Sequence, residues 1–309
     1  MQTATGSGKP KEIELWTNRR LIHPVSRALA VLFSRTPVTP NAVSCMGVLA
    51  SAGAAWAYSQ PVWPLSVIGG LAFQYAWHVF DGADGELARR TGRSSPSGEV
   101  VDGVCDYLAQ AVLYCALAML LSRVIGGWAW ALAVLSGICR AVQANSYESR
   151  RRIYQYWGYG GNWIRQTMSS DAQAPRGVLS LFARAYLAIS DFVARPRPEL
   201  EAALAARFRQ GPEEEARTRA LYRQVQVAAI RPAVPLSANA RSLAIALSML
   251  AGSPLYFFLY EIVGLTLLMF WTLRVQAGCD AKLAGLLTAS PSDDIGTNAP
   301  SLRIAESRV

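Results

Sequence analysis

An all-α, polytopic membrane protein is the fold class the sequence predicts: about six transmembrane helices, an N-terminal interfacial amphipathic helix and a cytosolic helical insertion. Three observations lead there. Apolar residues make up 52% of the 309-residue chain and gather in blocks: Ala42 to Tyr58, Val62 to Phe80, Val104 to Leu121, Ile125 to Val142, and Leu243 to Leu273. Several blocks reach the roughly 17–25 residues that a bilayer crossing needs. They have almost no polar face, unlike helices at the surface of a soluble protein. Arginine and lysine, finally, collect in alternate connections between the blocks.

Residues 1–35 are the first unit. Met1 to Glu14 is polar and lacks the apolar stretch of a cleavable signal, so the first membrane helix is expected to be retained. "ELWTNRRLIHPVSRALAVLFSR" mixes arginines with Leu, Val, Phe and Trp at helical spacing. It is too charged to span, and an interfacial amphipathic helix fits it. In "TPVTPNAVS", Pro40 and Asn41 end one element and Asn41 is placed to cap the next. Residues 36–146 then hold four spans. Residues 147–236 are polar and arginine-rich, a cytosolic or membrane-surface insertion. Within it "GVLSLFARAYLAISDFVAR" is an amphipathic helix, while "PELEAALAARFRQ" and "PEEEARTRALYRQVQVAA" read as solvated ones. Residues 237–289 hold the last two spans. Their break falls at Gly252 to Pro254, which needs a fifth helix beginning near Leu236, or near Glu261 to Gly264. The tail, 290–309, is polar and expected to be disordered.

Orientation follows from the basic residues. Lys9, Lys11, Arg19, Arg20, Arg27 and Arg35 precede the first span, Arg89, Arg90 and Arg93 lie between the second and third, and Arg150, Arg151 and Arg152 follow the fourth. "SQPVWP" has no charge and "SRVIGG" has only Arg123. Both termini should face the cytoplasm. The net charge of +9 is then accounted for by basic loops against anionic headgroups. No nucleic-acid reading module is recognisable, so nucleic acid is excluded as a partner. The five cysteines lack CxxC spacing and lie mostly in the spans, as small packing residues and not as a disulfide or zinc framework.

One stretch breaks the apolar pattern: "DGADGELARRTGRSSPSGEVVDGVCD", Asp81 to Asp106. On a helix Asp81 and Asp84 share a face, as do Asp102 and Asp106, with Gly98 one turn before Asp102. The turn-rich "RTGRSSPSG" between the pairs lets the third span return beside the second. The two pairs can then face each other. A solvated charged loop would not set its acids at helical spacing on both sides of a turn at a membrane boundary. Four carboxylates converging there repel one another unless cations neutralise them. Oxygen-only ligands suit magnesium, manganese or calcium. Two ions of the first kinds can clamp a phosphoryl group, so a pyrophosphate-containing substrate fits. Arg89 is placed to hold a phosphate.

Asp81-x-x-Asp84-Gly85-x-x-Ala88-Arg89, eight residues, Gly98, then Asp102 and Asp106 at intervals of four resembles the signature of the CDP-alcohol phosphotransferase (CDP-alcohol phosphatidyltransferase) family, with every signature position filled. The six-span plan and the "TPN" before the first span also resemble the family, over Thr36 to Val142. The resemblance implies that an acceptor hydroxyl attacks the β-phosphorus of a CDP-linked donor and expels CMP. It implies that Asp81, Asp84 and Asp102 hold two divalent cations, Mg2+ or Mn2+. Asp106 would touch metal and serve as general base. Gly85 and Ala88 would leave room for the cytidine nucleotide, Arg89 would bind donor phosphate, and Gly98 would allow close approach of the third helix. The 147–236 insertion is longer than in compact family members.

Nearby residues have two readings each. His78, one turn before Asp81, orients a ligand or acceptor, or is an ordinary satisfied histidine. Arg140 binds a phosphate or an acidic acceptor, or snorkels to headgroups. Arg150 to Arg152 with "IYQYWGYG" form an interfacial aromatic-basic belt or a headgroup site. The favoured expectation is phosphatidyl transfer from CDP-diacylglycerol to a polar alcohol, in the inner membrane of a prokaryote with the site facing the cytoplasm. The alternative is transfer of a CDP-linked head group to a lipid or polyol alcohol, which "ARRTGRSSPSGE" locally resembles. A non-enzymatic cation-binding membrane protein is the remote one, opposed by the lack of an internal repeat and the position of the acids at a membrane edge. Membrane lipids, the CDP-linked donor, the alcohol acceptor and a second copy of the chain in a homodimer are the expected partners.

Overall fold

The computed structural model describes residues 10, 12–14, 16–160 and 198–288, and all regular structure in them is helical. A π-helical turn, Asn18–Ile22, leads into α1 (His23–Phe33). Next come α2 (Pro40–Ser59), α3 (Leu65–Arg90), α4 (Pro96–Ile125) and α5 (Trp128–Tyr159). After α6 (Pro198–Phe208) and α7 (Pro212–Ile230), a 3₁₀ turn at Arg231–Leu236 enters α8 (Ala238–Leu250). Finally α9 (Leu255–Leu259) passes through a π turn, Tyr260–Gly264, into α10 (Leu265–Thr288). The amphipathic stretch at 177–195 and the tail from Ser290 lie outside the described residues.

The starts of α2 and α4 share one device. Thr39 and Ser95 are extended N-caps whose hydroxyls accept from the backbone N–H of Ala42 (3.3 Å) and Gly98 (3.1 Å). Each is followed by proline at the first helical position, where the missing N–H costs nothing. The cap of α2 is therefore Thr39, and Asn41, expected in that role, lies one residue inside the helix. The break between the last apolar helices falls at Gly252, whose φ of 87° is a left-handed conformation that glycine adopts without strain. Glu261 to Gly264, the other candidate, stays helical.

Three helices among the described residues are long and apolar enough to cross a bilayer: Pro40–Ser59, Val100–Ile125 and Leu255–Thr288. Pro212–Leu236 with Ala238–Leu250, bent by 41°, qualifies together as a fourth. The expected six are not reached on length and composition alone. The reason is visible in α3 and α5, which bury Gln74 and His78, and Gln143, Asn145 and Arg150. Leu49, Trp56, Ile68, Val124, Trp128 and Leu267 are exposed, an apolar exterior of the kind that marks a lipid-facing surface.

The interior has two main centres. One joins Ala54 and Tyr58 of α2, Leu113, Leu117 and Leu121 of α4, Ala133 of α5, Ile245 of α8 and Phe257 and Phe258 of α9. The other gathers Tyr154 and Trp157 of α5, Leu200 and Leu204 of α6, Tyr222 and Val225 of α7, and Leu265, Met269 and Leu283 of α10. α6 and α7, read from sequence as solvated, thus each bury one face. α5 enters both centres as a single helix. A polar knot lies between α4, α5, α8 and the second π turn. Arg241 Nε donates to Glu261 Oε1 at 2.8 Å and Arg241 Nη2 to Gln143 Oε1 at 2.8 Å. Tyr114 donates to Glu261 Oε2 at 3.1 Å, and Gln143 Nε2 to the Glu261 carbonyl at 3.0 Å. Arg241 and Glu261 are fully enclosed, so each charge is matched inside a medium that would otherwise expel it.

Candidate active site

α3 and α4 are joined by a short turn and run back beside α2. Asp81 sits in the second half of α3, and Asp102 and Asp106 in the first half of α4. Carboxylate oxygens of these three lie within 4.8 Å of one another. Asp84 does not join them. It is buried toward α2, where Ser44 Oγ donates to its Oδ2 at 2.5 Å and the Gly85 N–H meets its Oδ1 at 2.5 Å. The expected convergence of four acids is thus a cluster of three with the fourth held beside it. Ser44 was not foreseen. It lies 40 residues from Asp84, in a stretch whose composition marks nothing but a helix.

The three acids line a cavity of about 1080 Å³, of the size that accommodates a large ligand. His78, Gly85 and Arg89 of α3 and Arg140 of α5 open onto it as well. A Cβ added to Gly85 would meet only Arg89 Nη1, at 3.5 Å, so the cavity continues over that backbone. Arg89 is exposed and donates to Glu86 at 3.0 Å. His78 is a buried, hydrogen-bonded histidine, its Nε2 2.9 Å from Ser242 Oγ of α8, and it also lines the cavity. Ala88 and Gly98 are partly buried and stand outside the lining. A Cβ on Gly98 would lie 3.2 Å from Ser95 Oγ and 3.9 Å from Asn41 Oδ1, which places it at the α2–α4 contact.

Two kinds of residue complete the walls: Asn18, Ser26, Ser237 and Asn239, which the sequence did not single out, and arginines that it marked for orientation or as a belt or headgroup site. Asn18, Arg19, Ser26 and Arg27 come from the N-terminal segment, Arg151 and Arg152 from the far half of α5, and Ser237 and Asn239 from the entry to α8. Glu148 pairs with Arg151 at 2.7 Å and with Arg152 at 2.9 Å, which orients both guanidinium groups. Aspartates of α3 and α4 cluster at one part of the cavity, while arginines from α3, α5 and the N-terminal segment line the rest together with Glu14, Glu86 and Glu148. Three carboxylates this close could hold a metal ion, and hard oxygen ligands of this kind suit cations such as magnesium or manganese. Such a cavity can hold a polyphosphate between cation and guanidinium.

The geometry of Gly85 yields a test. Gly85→Leu is expected to abolish protection of the protein against thermal unfolding by a CDP-linked donor, with the folding of the donor-free protein little changed. A branched side chain fits the open space but occupies it. Wild-type protection in the variant would remove Gly85 from the nucleotide's path.

The family model for CDP-alcohol phosphatidyltransferase matches residues 37–193, half of the chain. Phosphatidylinositol phosphate synthases from Mycobacterium bovis (strain BCG / Pasteur 1173P2) and Mycobacterium tuberculosis (strains CDC 1551 and H37Rv) are each 28% identical over 99 residues. That stretch is 32% of this chain and 42% of theirs. The chain thus aligns with about two-fifths of the length of these curated relatives.

Proposed function

Because the chain belongs to the CDP-alcohol phosphatidyltransferase family, whose members are transferases, we propose that it is an integral membrane enzyme transferring phosphatidyl from CDP-diacylglycerol to a polar alcohol, with release of CMP. The observation that carries the reading is the meeting of Asp81, Asp102 and Asp106 at a cavity that continues over Gly85. α2 to α5, α8, and α9 with α10 are the six spans of this reading. The arginines and lysines of alternate connections support a cytoplasmic position for the acids in this reading.

Asp81, Asp102 and Asp106 would hold divalent cations, with Asp84 completing the set from its place beside Ser44. Bound magnesium or manganese supplies charge neutralisation for the donor pyrophosphate and for the leaving phosphate of CMP. The chain's own residues do the rest. Gly85 and Ala88 leave room on α3 for cytidine, and Arg89 holds donor phosphate in charge-assisted hydrogen bonds. Asp106 takes the proton of the acceptor hydroxyl as its oxygen bonds to the β-phosphorus and the bond to CMP breaks. Arg140, Arg151 and Arg152 on the same cavity favour an acceptor that carries negative charge. The mycobacterial relatives, by their names, make a phosphorylated phosphatidylinositol, which supports the same choice.

Purified protein offered CDP-diacylglycerol with polyol and polyol-phosphate acceptors should release CMP and form a new phospholipid seen by mass spectrometry. Product from CDP-choline or CDP-ethanolamine with diacylglycerol, and none from CDP-diacylglycerol, would transfer the assignment to head-group transfer. Turnover is also expected to vanish in excess chelator and to return with magnesium or manganese. Full turnover after dialysis against chelator would sink the metal assignment.

A further inference from the structure

The cavity has a wall that lies outside the family-matched segment. From Asn18 to Arg27 the N-terminal segment faces the acids of α3 and α4, with Arg19 and Arg27 among its lining residues. Its seat is on α3. Ile22, Ser26 and Ala30 are buried at the four-residue intervals of one helix face, and Ala30 packs with Ala83 and Leu87. Ser26 Oγ donates to the Val79 carbonyl at 2.9 Å, and the Tyr75 hydroxyl to the Leu21 carbonyl at 2.8 Å. Asn239 of α8 donates to Asn18 on the other side.

What sets the closeness of this seat is Gly82. A Cβ there would lie 2.8 Å from Ser26 Oγ and 3.2 Å from Ser26 Cβ, a separation that packed atoms do not tolerate. Gly82 stands between Asp81 and Asp84, yet it fills a variable position of the aspartate signature. Its lack of a side chain is explained by α1, not by nucleotide. The seat therefore holds the cationic wall in register with the acids, one residue from Asp81. A guanidinium offers donors in a planar fork that matches phosphate or carboxylate oxygens.

We propose that the N-terminal helix, seated on α3 through Ser26 and Gly82, is an acceptor-selecting wall of the cavity, with Arg19 and Arg27 recognising an anionic group on the acceptor alongside the arginines of α5. The selecting role rests on the cavity being a CDP-alcohol reaction site; the seat does not.

The test uses the full chain in nanodiscs. Inositol 1-phosphate and glycerol 3-phosphate serve as anionic acceptors, inositol and glycerol as neutral ones. Arg19→Gln with Arg27→Gln should raise KM for the anionic acceptors by about tenfold or more and leave KM for CDP-diacylglycerol and the neutral acceptors nearly unchanged. Gly82→Ala should speed amide hydrogen exchange in Asn18–Phe33 by about tenfold or more and shift anionic-acceptor KM in the same direction. Adding Ser26→Gly, which removes both obstructing atoms, should restore protection and KM relative to Ser26→Gly alone. Unchanged exchange in Gly82→Ala overturns the seat. Equal losses for anionic and neutral acceptors, or no loss for either, overturn the selection. If wild type turns over none of the four acceptors, the reaction-site reading falls and the selecting role with it, while exchange still judges the seat.

Discussion

Asp106→Asn is expected to lower turnover by about 10²–10⁴ while CDP-donor binding falls far less. Asparagine keeps the shape and one ligand oxygen, but it takes no proton at neutral pH. The neutral acceptor hydroxyl is a weak nucleophile, so the missing proton acceptor appears in the bond-forming step. Asp81→Asn should differ in kind. It removes charge from the cluster itself and so weakens metal and donor binding together with rate. Turnover at saturating donor, donor affinity and metal dependence measured for both variants separate the roles. Near-normal turnover in Asp106→Asn, or a defect that saturating donor rescues in full, removes Asp106 from the role of base.

Glu261→Ala should destabilise the protein by about 3–5 kcal/mol, the cost of leaving one member of an enclosed ion pair without its partner. Arg241 would keep Gln143 and the Leu236 carbonyl, but its charge would have no counter-charge at the knot. Tyr114 would lose its acceptor at the same time. Replacing both charges, Arg241→Met with Glu261→Leu, should recover most of the loss, because two apolar side chains leave no buried charge behind. Thermal unfolding in one detergent reads both. A Glu261→Ala midpoint equal to that of wild type would show that the pair adds nothing to stability.

The contrast between these two sites explains what was legible in the sequence. The acids of α3 and α4 lie within 26 residues, at helical spacing around a turn, so local periodicity alone brought three of them together. Asp84 escaped because its orientation depends on Ser44, 40 residues away. The ion pair was hidden for a related reason. Glu261 stood in the sequence as a possible break between spans, yet the chain stays helical there and the charge turns inward to Arg241 on the preceding helix. Gly252, with its left-handed backbone, makes the break instead. The apolar blocks foretold the helical class. They did not foretell six spans by composition, because α3 and α5 bury polar side chains that pair across helices. The N-terminal segment showed helical spacing in the sequence, but its stripe of Ile22, Ser26 and Ala30 carried no sign that Gly82 was its counterpart. Arginines 19 and 27 counted only toward orientation.

The unbroken course of α5 has a consequence for exchangeability. Its 32 residues extend about 48 Å, and the half that carries Arg140 toward the cavity is continuous with the half that carries Tyr154 and Trp157 into the second centre. The first residues of the 147–236 region, up to Tyr159, are therefore one helix with the span before them, although composition sets that region apart. A chimaera joined at residue 146 must keep the helical phase of α5 across the junction. An insertion of one residue there would turn every following side chain by about 100°, swinging Arg151 and Arg152 off the cavity and Trp157 out of its packing. A graft that replaces residues one for one keeps both the angle and the 1.5 Å rise per residue, and so preserves the facing residues. Phase, more than the identity of the grafted residues, decides which such proteins stay whole.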